Sequence, residues 1–154
     1  MEENHILQSK KSIPLAQKLH IILLGVEDVR MSAGFYDKLG WKRAKTSHSG
    51  FVKYDLGGFT LALISRKDFA KDALYQTAKG EGFSGVGLIY LAKSADEVSQ
   101  ILTRAVEAGG TLVKPATVTP YGVAGYFKDL DGHLFEVDYE EKFKFDEAYR
   151  LITE

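Results

Sequence analysis

This chain of 154 residues contains no cysteine. That removes disulfides, thiolate metal sites and a cysteine nucleophile together. It fits a reducing compartment, and a cytoplasmic location is the expectation. An excess of one charge is missing too: 20 Lys and Arg stand against 21 Asp and Glu, for a formal charge of −1. No Lys/Arg cluster supports a nucleic-acid partner. No apolar run reaches membrane-spanning length, and residues 1–18 hold no apolar core of the signal-peptide kind. A membrane partner is not expected. What is present is ordinary for a globular protein, 45% hydrophobic and 27% charged. The length suits one domain, or two small modules sharing a core.

The strongest local signal lies at residues 125–139, GYFKDLDGHLFEVDY. A short aromatic strand runs into Asp129-Leu130-Asp131-Gly132, a turn in which Asp side chains can accept from backbone N–H groups two residues on. His133 to Tyr139 is the return strand of the hairpin. Glu136 sits between Phe135 and Val137, so the pleat sends it to the opposite face from both. Elsewhere, Leu19 to Val26 reads as an apolar strand, with Asp28 capping a helix that ends at Gly40. Phe51 to Leu56 and Phe59 to Ser65 flank a Gly57-Gly58 turn. Arg66 to Gly82 reads as a connector with one short helix. Gly85 to Ala92 is the next strand. Ser94 and Glu97 have capping-box spacing before an apolar stripe of Val98, Ile101, Leu102, Ala105 and Val106. Thr111 to Lys114 is a strand, followed by a loop to Pro120.

The order strand, helix, strand, hairpin therefore occurs twice. The hairpins superimpose by residue type at a constant offset of 74 residues: Asp55 on Asp129, Leu56 on Leu130, Gly58 on Gly132 and Leu63 on Val137. The expected fold class is α+β. Two βαβββ modules build one curved, cup-shaped mixed sheet, with helices on the convex side. The divisions are an arm at 1–17, a first module at 18–66, a connector at 67–82, a second module at 83–139 and a charged tail at 140–154. Phe143 and Phe145 of the tail are candidates for docking on the domain or on a partner.

This arrangement resembles the vicinal oxygen chelate superfamily of glyoxalase I, bleomycin-resistance proteins and extradiol dioxygenases. The segments LGVEDVRMSAGFYDKLGW (24–41) and GYFKDLDGHLFEV (125–137) carry the resemblance. Trp41 and Leu61-Ala62-Leu63 are similar to an uncharacterised bacterial glyoxalase-family branch. Two departures are Leu130 where Pro is common, and Pro120 to Val123 in place of a more aromatic loop. The resemblance implies one metal ligand on the first and one on the last strand of each module. Those places fall on Ile21, Ala62, Val86 and Glu136, so a single ligand position is filled. One carboxylate does not hold a divalent ion. No cofactor is expected, and a metal is disfavoured. His20, beside Ile21, is expected to point toward the helices; a one-residue slip would bring it into the cup.

The candidate ligand-binding face comprises Ile21, Leu23, Thr60, Ala62, Val86, Leu88, Tyr90, Tyr121, Leu134 and Glu136. Glu136 is either a polar anchor or, if burial raises its pKa, a general base. Asp138, two residues on, can share its face. His48 belongs to a solvent-exposed loop and His133 to the structure of the turn, and Gly57-Gly58 is no phosphate loop. Two functions stay open. One is a metal-free member of the family that binds a small, partly apolar molecule. The other is a glyoxalase-type lyase or isomerase, similar to lactoylglutathione lyase, with Glu136 as base or metal ligand; an oxygenase belongs to the same class of reading. A homodimer is expected, because the edge strands of such modules need covering.

Overall fold

A computed structural model describes residues 15–80 and 82–153; most of the expected arm lies outside the described residues. The first module contains β1 (Ile21–Val26), α1 (Val29–Lys38), β2 (Phe51–Asp55) and β3 (Thr60–Ser65). The connector contributes α2 (Arg66–Asp72). The second module contains β4 (Leu88–Leu91), α3 (Ala95–Glu107), β5 (Thr111–Val118), β6 (Gly122–Lys128) and β7 (Leu134–Glu140). The tail forms a small hairpin of β8 (Lys144–Phe145) and β9 (Leu151–Ile152).

The duplicated α+β plan is present. In each module the first strand runs parallel to the last, and the last pairs antiparallel with its hairpin partner: β1-β3-β2 in one, β4-β7-β6-β5 in the other. Hydrogen bonding gives each module its own sheet among the described residues, rather than one continuous sheet. The first sheet also has three strands instead of four. Where β5 stands in the second module, the first keeps two isolated bridges, Arg43 to Tyr54 and His48 to Phe51. Trp41 turns inward to stack on Tyr36 at 5.5 Å, and Arg43 pairs with Asp37 at 2.8 Å, which draws this segment back to α1. β5 continues past the expected Lys114 to Val118 through two register irregularities.

The local signals are realised. Asp28 and Ser94 each accept a backbone N–H of the first helical turn, at 3.1 Å from Met31 and 3.2 Å from Glu97. Asp55 accepts from Gly57 N and Asp129 from Asp131 N, both at 2.9 Å, so the two hairpin turns repeat in hydrogen bonding as they do in sequence. Gly132 has φ +85°, a conformation an L side chain resists.

One core serves both modules. Leu24, Val26, Leu61 and Leu63 of the first sheet join Val98, Leu102 and Ala105 of α3 and Phe127, Phe135 and Val137 of the second. Each such large side chain contributes roughly 1.5–3 kcal/mol by leaving water. α1 crosses the boundary: Phe35 meets Phe127 at 6.3 Å and Tyr36 meets Phe135 at 6.2 Å between ring centroids. The Tyr36 hydroxyl donates to Asp129 at 2.7 Å, and Glu27 N donates to Asp131 at 2.7 Å. The tail docks on its own domain. Tyr149 is the anchor, its hydroxyl donating to the Leu91 carbonyl, while Phe145 packs on Tyr149 at 4.8 Å. Among the described residues no helix is long and apolar enough to cross a membrane.

Candidate functional site

Strand register assigns every side chain to a face. On β7, Phe135 and Val137 are buried in the core. Leu134, Glu136, Asp138 and Glu140 therefore take the other face. Antiparallel pairing with β6 sets Lys128, Tyr126 and Ala124 beside the first three, and β5 adds Lys114 and Thr117 beyond. Parallel pairing with β4 sets Ile89 beside Glu136 and Leu91 beside Asp138. The result is an acid and a phenol at the centre of a face whose flanks are Ile89, Leu91, Leu134 and Ala124.

Glu136 is half-buried there. Tyr126 is its cross-strand partner, and the neighbouring Glu136 carboxylate, aided by burial, raises the Tyr126 phenol above its ordinary value. Asp138 is the carboxyl whose titration moves furthest on this face. Burial first, then the neighbouring Glu140 and Glu136 carboxylates, push it up to about 6, with Lys142 acting against them. Glu140 is a site residue the sequence reading missed by assigning it to the tail. The signal was there, since the alternation of Glu136 and Asp138 continues one step further. Lys142 Nζ lies 3.3 Å from Glu140.

Several expected residues do not join this face. Leu88 and Tyr90 pair with Phe135 and Val137, so they share the core-side face, and Leu88 packs against the core. Val86 precedes the strand and is exposed. The reason is a one-residue slip, which exchanges the two faces of a strand. Ile21 and Asp28 are separated by the same seven residues as Gly87 and Ser94, so the counterpart of Ile21 is Gly87. Tyr121 is 70% exposed and borders a shallow depression with Pro120, Glu141, Lys142 and Lys144. In the first module, Ile21 and Leu23 do pair with Thr60 and Ala62 and share their face. Ala62, however, is 0% exposed and outside the common core, on the face that α2 approaches at Gly25. A second depression there is bordered by Ile21, Lys53, Asp55 and Thr60 at the opposite end of the strands.

The three histidines among the described residues lie off the Glu136 face. His20 is exposed before β1, and its carbonyl accepts from Thr60 N at 2.9 Å. His48 is exposed in its loop, where its Nδ1 accepts from Gly50 N at 3.2 Å. His133 Nδ1 lies 2.6 Å from Asp129 Oδ2, within the hairpin turn. Burial works to raise Asp129, but His133 and Tyr36 more than offset it and hold the carboxyl below the usual range.

A divalent metal, which the fold implies, does not fit these residues. Glu136, Asp138 and Glu140 lie in a row along one strand instead of converging, and the strand neighbour of Glu136 is Ile89. At the equivalent place in the first module stand Ala62 and Leu23. Among the described residues no group of three or more His, Cys, Asp or Glu is arranged to hold an ion.

The family model described as the Glyoxalase/Bleomycin resistance protein/Dioxygenase superfamily matches residues 18–137. No curated protein matches the chain. Among solved structures, a glyoxalase-related enzyme from Fulvimarina pelagi is 28% identical with a TM-score of 0.80, over 88% of this chain and 97% of that one. A hypothetical protein from S. aureus is 31% identical with a TM-score of 0.70, over 80% and 94%. A lactoylglutathione lyase from Agrobacterium tumefaciens shares the fold at 19% identity and a TM-score of 0.58, over 80% and 93%. A match that spans both modules, on a duplicated unit with parallel first and last strands, makes this chain a member of the glyoxalase/bleomycin resistance protein/dioxygenase superfamily.

Proposed function

We propose that this protein binds a small, partly apolar molecule on the open face of its second sheet, without a complete metal site. The observation that carries the reading is the Tyr126–Glu136 pair set among Ile89, Leu91 and Leu134. A few polar groups in an apolar surround orient a ligand while its hydrophobic part supplies affinity. Glu136 is the anchor. Leu134, Ile89 and Leu91 add contact area.

A homodimer belongs to the same proposal. Ile89 is 62% exposed, and among the described residues β1 and β4 each pair on one side only. A second copy laid against these edges would cover them and wall the ligand face.

The test is thermal stabilisation by a panel of small, partly apolar amines, alcohols and amides. At one hundred times Kd a true ligand stabilises by about 2.7 kcal/mol, a rise in Tm of roughly 5–11 °C for a chain of this size. Glu136→Gln should lose most of that shift. Equal stabilisation of the variant would remove Glu136 from the site, and a stoichiometric divalent metal on the purified protein would overturn the metal-free part.

The alternative reading is a glyoxalase-type isomerase with Glu136 as base. It is favoured by Asp138, whose pKa of about 6 would let a proton pass between neighbouring carboxyls near neutrality. Turnover of a 2-oxoaldehyde–thiol hemithioacetal, abolished by Glu136→Gln, would establish it over simple binding.

A further inference from the structure

The two modules differ most in the chain that leaves their last strand. After β7 the chain departs for the tail hairpin. After β3 it turns immediately into α2, which lies back across the open face of the first sheet. Two observations locate it there. A side chain at Gly25 would meet Arg66 Cα at 3.2 Å and Phe69 Cδ2 at 3.3 Å, and Gly25 shares the face of Leu23 and Ala62. Ala62 is 0% exposed yet belongs to no part of the common core. Ala62, which hairpin equivalence matches to Glu136, is thus buried on the sheet face that α2 approaches at Gly25, and the second module has no such helix.

We propose that α2 is a lid, which seats on the first sheet in the resting protein and lifts away to uncover Leu23, Gly25 and Ala62. The attachment is slight. α2 has seven residues and buries none of them completely. Helices so short are not stable by themselves. α3, by contrast, is fixed by Val98, Leu102 and Ala105. Immediately beyond α2, Leu74 at φ +64° and Tyr75 close the helix's own C-terminal cap, their N–H groups donating to the Lys71 and Ala70 carbonyls, so this end of the helix is finished by its own backbone. Leu74 is 89% exposed and Tyr75 is also exposed, so neither anchors the segment. Residues 73–80 and 82–87 contain no helix or strand. Arg66 Nε donates to the Ala78 carbonyl, which ties Ala78 to the base of α2. The role goes beyond ligand binding at Glu136 and does not depend on it. Lifting α2 turns a one-sided site into one with access to a second apolar face.

The absence of native cysteine makes a direct test available. In Ala62→Cys the single thiol lies under the lid, and its modification by a maleimide reports opening. The rate should exceed hydrogen exchange of the Leu63 amide, which reports disruption of the core strand. Phe69→Ala, which weakens the seat, and Gly25→Ala, which crowds it, should each accelerate labelling by about tenfold or more, while Leu63 exchange changes less. Labelling that keeps pace with Leu63 exchange, or that is indifferent to both substitutions, would show α2 to be a fixed part of the fold. Should Ala62→Cys fail to fold, Leu23→Cys on the same face, half-buried at rest, should be labelled faster when Phe69→Ala or Gly25→Ala is added. Neither outcome depends on finding the ligand for Glu136.

Discussion

Tyr36→Phe isolates the contact that joins the modules. The ring keeps its edge contact with Phe35 at 5.0 Å, its stack on Trp41 at 5.5 Å and its tilt against Tyr54 at 5.7 Å. Only the hydroxyl is lost, with its 2.7 Å bond to Asp129. A hydrogen bond to a buried charge is worth about 1.5–3 kcal/mol. The lower end applies, because Asp129 Oδ2 keeps His133 Nδ1 at 2.6 Å and Oδ1 keeps the backbone N–H groups of Asp131 and His133 at 2.9 and 2.8 Å. The expected loss of about 1.5 kcal/mol lowers Tm by roughly 3–6 °C in a chain of this size. Urea unfolding should show the same loss as a shift in midpoint at constant slope. The effect also has a pH signature. Asp129 titrates below its ordinary 3.8 in the folded protein, so the stability it confers is present above that value and is lost as pH falls through the folded pKa. The gap between wild type and variant should therefore close below about pH 4. Combined with Asp129→Asn, the cycle should return a coupling of about 1 kcal/mol. Additive losses, or a gap unchanged at acid pH, would refute the assignment of this bond as the link.

Asp138→Asn tests the opposite sign. A carboxyl raised to about 6 resists ionisation when folded, so wild-type stability should fall as pH climbs from about 4 to 6 and then level off, whereas the variant should lack that slope in urea midpoints. Gly125→Ala places a methyl 2.5 Å from Leu102 Cδ1 and 2.8 Å from the Lys114 carbonyl oxygen; overpacking of about 1–3 kcal/mol should appear as a lower Tm and reduced soluble yield. Ser94→Ala removes the cap of α3 and should cost about 1 kcal/mol in chemical denaturation, with amide exchange rising first at Glu97.

What was legible in the sequence was local or repeated. The parity of Glu136 against Phe135 and Val137 needs only the pleat, and it holds. The offset of 74 residues between the hairpins needs only side-by-side comparison, and Asp55 and Asp129 bear it out in their matching turn bonds. The errors came where a face had to be carried across a loop. Counting back from Ser94 to Val86 instead of Gly87 exchanged the faces of β4, and with them Leu88 and Tyr90. The seat of α2 was not legible, because Arg66 to Asp72 has no strong apolar stripe of its own. It depends on the space left by Gly25, more than forty residues earlier. The missing strand of the first module is of the same kind. Trp41 stacks inward on Tyr36 and Arg43 pairs with Asp37 at the surface, partners that only the folded chain provides.

The shared core has a consequence for how the chain could be divided. Phe35 and Tyr36 belong to the first module by sequence and complete the interior of the second, while residues 73–80 of the connector bury no side chain fully. Cut within that stretch, neither fragment could close its own interior, since each would expose the surface that the other normally covers. Mixed together, the two halves should find each other through the same rings and the same Asp129 bond, and rebuild the native assembly as a noncovalent pair. The covalent link between the halves acts as a tether that sets their local concentration, and the architecture itself resides in the contacts around α1.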